Sequence, residues 1–520
     1  MDKEVRARES NSLSSLNLAD FERLQEKLVP LWQQIGTGPG GPVQEPNTAV
    51  VVPSLSFDVD EPASTLQAYE QRFLFLLFLL RQPNLRLIYV TSQPIQESII
   101  DYYLDLLPGI VSSHARKRLD LICLEDGSRE PLSQKLLARP HVLAHIRALI
   151  PNADMAHMIP FNTTDLEREV ALRLGIPMYA ADPDCFAFGT KSGGRRVFAE
   201  EDVPHPLGQE DLYSEESVVQ AIRTMRTQRP AMEKVIVKLN EGVSGMGNAT
   251  VDLAQCSEPG APSELDAIAQ AVRGMQFELS SVRYEDYVRS MQEDGAIVEE
   301  LIAGRIMRSP SAQLRITPLG EVELLSTHDQ ILGGPSGQTY LGARFPADAA
   351  YAWPIMEQAE KIGQRLAREG VIGRFAVDFV VVQGEAGQWQ PYAIEVNLRK
   401  GGTTAPHLTL EYLTDGRYYA HEGAFHTVRG DERCYVASDH LESPAYRVFT
   451  PDSLFDIVSR HRLHFDHARQ TGVVMHMLCD VGASGRIGAT VIAPTHEEAD
   501  ALYDHLVAVL DQEASLCWEV

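Results

Sequence analysis

The stretch "VIVKLNEGVSGMGNATVDL", Val235 to Leu253, starts as an apolar strand with a lysine inside it and runs into three glycines within six residues, Gly242, Gly245 and Gly247. Side chains alternate faces along a strand, so Ile236, Lys238 and Asn240 share one face and Val235, Val237 and Leu239 the other. An unpaired buried ammonium costs several kcal/mol. Lys238 must therefore reach water, a carboxylate or a bound anion. The glycines let backbone N–H groups approach a ligand closely and line a concave anion site. Taken alone, the stretch fits a phosphate cradle or a glycine-rich hairpin with a snorkelling lysine equally well. It is not a P-loop, in which the lysine follows the glycines and a helix comes next, nor a G-x-G-x-x-G dinucleotide turn.

Downstream lies an acidic pair. In "RFAVDFVVV" Arg374, Ala376 and Asp378 share a face, and in "YAIEVNLR" Glu395, Asn397 and Arg399 do. Two adjacent strands can then offer Asp378, Glu395 and the Asn397 amide oxygen to one point. Hard oxygen ligands suit Mg²⁺, which bridges to nucleotide phosphates. Arg374 and Arg399 can hold anionic substrate groups or simply neutralise these carboxylates. "IVEELIAG", Ile297 to Gly304, reads as an edge strand with solvated glutamates or as a hinge whose backbone meets an adenine.

The surroundings set the frame. The chain has 520 residues, 44% apolar and 23% charged, as in an ordinary globular protein of two to four domains. A net charge of −26 argues against nonspecific nucleic-acid binding. It serves solubility or draws in amine substrates. The longest apolar run, "FLFLLFLL" (Phe73 to Leu80), is too short to span a bilayer and is expected as buried helix, so no membrane partner is expected. The N-terminus has no signal-peptide pattern, and the expected location is cytoplasmic. Six dispersed cysteines without a C-x-x-C pair are expected as buried free thiols. His461, His464 and His467 do not align on one helix face, which disfavours a metal site.

Residues 1–48 read as an amphipathic helix and a Pro/Gly linker, an appendage that serves as a lid element or hints at a homodimer. Strand–helix alternation over residues 49–185 predicts a parallel α/β domain. Residues 186–420 mix strands and helices in an α+β arrangement, and residues 421–520 form a small closing α+β domain.

Order and spacing join these pieces into the layout of the ATP-grasp family. Lys191 in "TKSGGRRVFAEEDVPHPLG" resembles that family's first ATP lysine and Lys238 the second. "EGVSGMGN", with Gly242, Ser244, Gly245, Met246 and Gly247, resembles the mobile glycine loop over the β- and γ-phosphates. "VEELI" resembles the adenine hinge, through the backbone of Glu300 and Ile302 and the side chain of Glu299. Asp378, Glu395 and Asn397 resemble the Mg²⁺ ligands. "YEQRFLFLLFLLRQPNLRLIYVTSQPI", "EVNLRKGGTT" and "TGVVMHMLCDVGASGRIGATVIA" resemble the pheganomycin peptide ligase family across nearly the whole chain.

The resemblance implies a Rossmann-like pre-ATP-grasp domain, an ATP-grasp domain and a C-terminal α+β domain. It implies ATP and Mg²⁺ as cofactors. It also implies a ligase that activates a small-molecule carboxylate as an acyl phosphate and joins it to an amine or peptide N-terminus. Arg315, Arg374 and Arg399 are the candidates for binding the carboxylate or stabilising the oxyanion. Two departures stand out. Arg305 and Ile306 lie where an acid for the ribose is expected, and Ala405 stands where a histidine beside proline is expected, with His407 displaced. Thiol acylation, simple phosphoryl transfer or a non-catalytic nucleotide-binding scaffold are the alternatives.

Overall fold

The computed structural model describes residues 18–35, 46–57, 62–242, 247–279, 281–333, 337 and 339–518. Four parallel strands, β1 (Asn47–Val52), β2 (Leu85–Thr91), β3 (Leu119–Cys123) and β4 (Ala156–Pro160), pair in the order β3-β2-β1-β4. Both faces are buried: Val50 and Val52 pack on one side, Ala49 and Val51 on the other. This is why the strands read as continuous apolar runs. β4 goes unmarked in the sequence because "AHMIP" is short and carries a histidine. Its position matters, because the strand order reverses beside β1 and opens a crevice at the carboxyl ends of β1 and β4.

The expected N-terminal helix is two helices, Leu18–Gln25 and Leu28–Ile35. Pro30 has no N–H to donate back, so it fits the first turn of a new helix and not the interior of a longer one. Neither helix is a free appendage. Phe21 joins Val50 and Met158 in the core, Leu28 and Leu31 pack on Met155, and Gln25 exchanges two hydrogen bonds with the Met178 backbone. The apolar face that suggested a dimer is covered by its own chain.

"FLFLLFLL" lies in a 3₁₀ helix, Phe73–Arg81, that continues from the α-helix Ala63–Arg72. It is buried between the parallel sheet and the C-terminal residues, in one core with Leu408, Phe449, Leu454 and Val473.

A second sheet is antiparallel: β5 (Gly208–Leu212), β6 (Lys234–Leu239), β7 (Asn248–Asp252), β8 (Gln276–Phe277) and β9 (Ala296–Glu300), ordered β5-β9-β6-β7-β8. Val235 and Val237 face a core with Ile222, Met225 and Ile268 from two covering helices. Lys238 therefore projects from the opposite face.

The third sheet has nine strands. β10 (Met307–Arg308), β11 (Pro310–Ile316), β12 (Val322–Gly333), β13 (Thr339–Phe345), β14 (Gly373–Gln383) and β15 (Trp389–Asn397) form its central part. After a small hairpin, β16 (Arg417–Tyr419) and β17 (Ala424–His426), the chain returns as β18 (Cys434–Glu442), β19 (Gly472–His476) and β20 (Arg486–Ala493). β18 pairs directly with β13, so the C-terminal strands extend the central sheet and do not close off a separate one. Arg72 and Asp439, 2.5 Å apart and both buried, tie the first domain to β18. The described cysteines are free but none is fully buried. Among the described residues, no helix is long and apolar enough to cross a membrane.

Candidate functional site

Lys191 is the first residue of the helix Lys191–Glu200, which Thr190 caps by accepting the Gly193 N–H at 3.0 Å. A Cβ on Gly193 would lie 1.8 Å from the Ala187 carbonyl oxygen, so only glycine permits this tight entry. Lys191 Nζ donates to the Gly242 carbonyl at 2.9 Å and lies 3.4 Å from Glu395 Oε1. One lysine thus touches both the base of the glycine loop and the acidic strand.

Lys238 finds a carboxylate. Its Nζ lies 2.6 Å from Glu299 Oε2, across the β6–β9 pair, and Arg195 holds the other oxygen at 2.7 Å. Burial disfavours the Glu299 carboxylate, but the two cations outweigh it and hold its pKa below the usual range. Glu299, expected at the adenine, instead points inward as the shared counter-charge of Lys238 and Arg195. A carboxylate that is 1% exposed requires such partners.

Asn240 continues the Lys238 face. Its Oδ1 accepts the Ser192 N–H and hydroxyl at 3.0 and 2.8 Å, and its Nδ2 donates to the Asp294 carbonyl at 3.0 Å. It couples the Lys191 helix to the Lys238 strand. The sequence pattern placed Asn240 on the correct face without revealing this linkage, and Arg195 carried no sequence signal.

Gly242 and Gly247 pinch the loop base, where a Cβ on either would come within 3.0 Å of the other's Cα. Ser244, Gly245 and Met246 lie outside the described residues. Glu300 accepts the Leu207 N–H at 3.0 Å, pairs with Arg229, and gives its own N–H to the Leu207 carbonyl at 2.8 Å. Its side chain and N–H are therefore engaged within the protein. Ile302 is half-buried in the connection after β9, and Arg305 is exposed.

On the central sheet, Asp378 stands directly opposite Glu395, and Asn397 lies two residues along. Asp378 accepts from Asn397 Nδ2 at 2.9 Å and from Gln330 Nε2 at 2.8 Å. Gln330, on β12, is a partner that no local pattern announced. Burial and then the adjacent Glu395 raise the Asp378 pKa to about 6, only partly relieved by Ser311, Arg399 and Gln330. A desolvated carboxylate, a second carboxylate opposite it and a nearby amide oxygen suit a hard divalent cation, which removes the repulsion between the two acids. The donor set fits Mg²⁺ on these grounds.

The three candidate arginines separate. Arg399 lies within electrostatic reach of Glu395 and Asp378, and its guanidinium sits 5.6 Å from the centre of the Phe57 ring. Arg374 is four residues upstream of Asp378 on the same face, about 13 Å along the strand. Arg315 is opposite Arg374, neutralised by Glu323 at 2.6 Å, with its guanidinium 5.1 Å from the Trp32 ring. Arg315 and Arg374 are therefore remote from the carboxylate pair, because four residues of extended chain exceed an arginine's reach. His407, 3% exposed, is packed against Phe345, and burial holds its pKa well below the usual value. It is a neutral core histidine. His461 bonds Glu513 at 2.8 Å.

Residues 185–261 and 260–421 match the family model described as IQCH-like, ATP-grasp, and residues 453–506 match the PGM1 C-terminal domain. The chain is 29% identical over 449 residues to the L-propargylglycine–L-glutamate ligase of Streptantibioticus cattleyicolor, covering 85% of this chain and 89% of that protein. It is 24% identical over 445 residues to IQ motif-containing protein H of Danio rerio, covering 77% of this chain but 41% of that protein. Its fold matches the biotin carboxylase–β,γ-ATP complex of Campylobacter jejuni with a TM-score of 0.52 at 15% identity, over 88% of this chain and 89% of that one. The central part of the chain thus matches an ATP-grasp family model, and most of its length is similar to an amino-acid ligase, which supports an ADP-forming ligase.

Proposed function

We propose that the chain uses ATP to convert a carboxylate to an acyl phosphate and couples it to the amine of an amino acid or peptide, releasing ADP and phosphate. The observation that carries this reading is the contact between Lys191, the Gly242 carbonyl and Glu395. It brings Lys191, the base of the glycine loop and the acidic strand into contact, which supports reading them as one phosphate-handling site. Similarity to a ligase named for L-propargylglycine and L-glutamate favours amino acids as both acid and amine.

Asp378, Glu395 and the Asn397 oxygen would hold Mg²⁺, which supplies electrostatic stabilisation of the transferring phosphoryl group. Lys191 and Lys238 bind phosphate oxygens. The glycines at the loop base allow close backbone approach. Arg399 orients the substrate carboxylate, whose oxygen bonds to the γ-phosphorus as the bond to ADP breaks. The amine then attacks the acyl carbon, Arg399 balances the oxyanion, and phosphate leaves as the amine loses its proton.

Incubation with ATP, Mg²⁺, an amino-acid pool and hydroxylamine tests this. Hydroxamate together with ADP is expected. ADP release without hydroxamate or amide from any acid would point to phosphoryl transfer and sink the ligase reading.

A further inference from the structure

Among the described residues, two cations at the crevice lack a carboxylate partner. The Arg374 guanidinium makes no hydrogen bond or ion pair among the described residues, and its Nη1 is shielded from solvent and unpartnered. Lys400, 8% exposed, donates one hydrogen bond, to the Pro160 carbonyl at 2.7 Å, and forms no ion pair among the described residues. Pro160 ends β4, at the point where the parallel sheet reverses its strand order and where such folds take up ligands.

The neighbouring charges do not resolve this. Glu323 is consumed by Arg315. Glu411 lies near enough to be felt by Arg374 but makes no ion pair with it. Its nearest cationic candidate is His407 at 3.8 Å, which is neutral. His157 faces Lys400 and is held neutral by burial and by Lys400 itself. Tyr179 presents a buried hydroxyl without a partner. Burial lowers the Lys400 pKa to about 7, with Arg374 adding to the effect. Unpaired desolvated cations of this kind call for an anion.

We propose that Arg374 and Lys400 bind a second substrate carboxylate, distinct from the one that is activated. The inference rests on the ligase reading. The reacting carboxylate belongs to Arg399 at the Asp378 end, and Arg374 lies about 13 Å further along the strand. The ligase therefore grips an amino acid or peptide by its non-reacting carboxylate, carried by either the acid or the amine substrate.

Calorimetry on the full chain with ADP present tests this without turnover. The probes are L-glutamate, L-glutamine, L-isoglutamine, and a set of dipeptides with their C-terminal amides. The wild type should bind at least one carboxylate probe about 10- to 100-fold more tightly than its amide. Arg374→Gln should abolish that preference and leave ADP affinity unchanged. Lys400→Gln should weaken the preference, and it carries the test if thermal melts show that Arg374→Gln does not fold. Equal binding of acids and amides by the wild type, a preference retained in both variants, or no binding by any probe overturns the proposal.

Hydroxylamine assays identify the source. A higher KM for the acid in hydroxamate formation by Arg374→Gln places the carboxylate on the acid. A defect confined to amide formation places it on the amine. If the wild type yields neither product the ligase reading fails, while the calorimetry still decides the anion site.

Discussion

Lys238 and Glu299 are buried partners on adjacent strands, 2.6 Å apart, and Glu299 holds Arg195 at the same time. Arg195 has a second carboxylate, Glu210 at 2.5 Å, whereas Glu299 is the one carboxylate paired with Lys238 among the described residues, so phosphate entering the site would add counter-charge chiefly for Lys238. Glu299→Gln should destabilise the protein by about 3–5 kcal/mol in guanidinium unfolding, because it strands the buried Lys238 and leaves Arg195 with Glu210 alone. ATP should restore more stability to this variant than it adds to the wild type.

Asp378 carries its own pH signature. Its pKa is raised from 3.8 to about 6, so between those values the folded state binds more protons than the unfolded state. Stability therefore falls as pH rises through that window and stays lowered above it. Asp378→Asn should remove this slope and stabilise the metal-free protein at pH 8 by on the order of 2–3 kcal/mol. The same variant should lose Mg²⁺-dependent ADP release by at least about 100-fold. A variant that is destabilised at pH 8 would refute the assignment of burial and repulsion as the cause.

Asn240 links the Lys191 helix to the Lys238 strand through two hydrogen bonds from Ser192, and a third ties it to the Asp294 carbonyl. Asn240→Ala should cost about 2–3 kcal/mol in stability. It should also raise the KM for ATP, since Lys191 is no longer held against the loop. Unchanged KM in a destabilised variant would confine Asn240 to a packing role.

Arg72 and Asp439 connect the first domain to β18, and His476 also bonds Asp439, at 2.8 Å. Burial opposes the Asp439 charge, but Arg72 and His476 dominate and hold its pKa below the ordinary range. This stabilisation is present above the unfolded-state pKa of about 4 and is lost as pH falls below it. Asp439→Asn should destabilise by about 3–5 kcal/mol. Differential scanning calorimetry should show the parallel-sheet domain melting ahead of the rest. A single transition at the wild-type temperature would exclude this bridge.

Much of the candidate site was legible because strand alternation is local. Lys238 opposite the Val235–Val237 face, Asp378 on the Arg374 face of its strand and Glu395 on the Asn397 face of the next all follow from a period of two. Lys400 was missed for the same reason. It follows Arg399 in "NLRKGG", where the strand has ended and alternation no longer applies. The buried "FLFLLFLL" run was likewise readable from its apolar character, whereas the split at Pro30 depends on which turn the proline occupies.

By itself the sequence determined the order of the candidate elements: lysine, lysine–glycine loop, hinge, aspartate and E-x-N, with Lys238, Asp378, Glu395 and Asn397 on strands of readable face. Only the tertiary structure decided who meets whom. It assigned Glu299 to Lys238 and Arg195, joined the C-terminal strands to β13, and left Arg374 and Lys400 without a carboxylate partner among the described residues. The reason is physical. Local periodicity specifies the direction of a side chain, but contacts across strands distant in sequence depend on pairing and burial that no short window encodes.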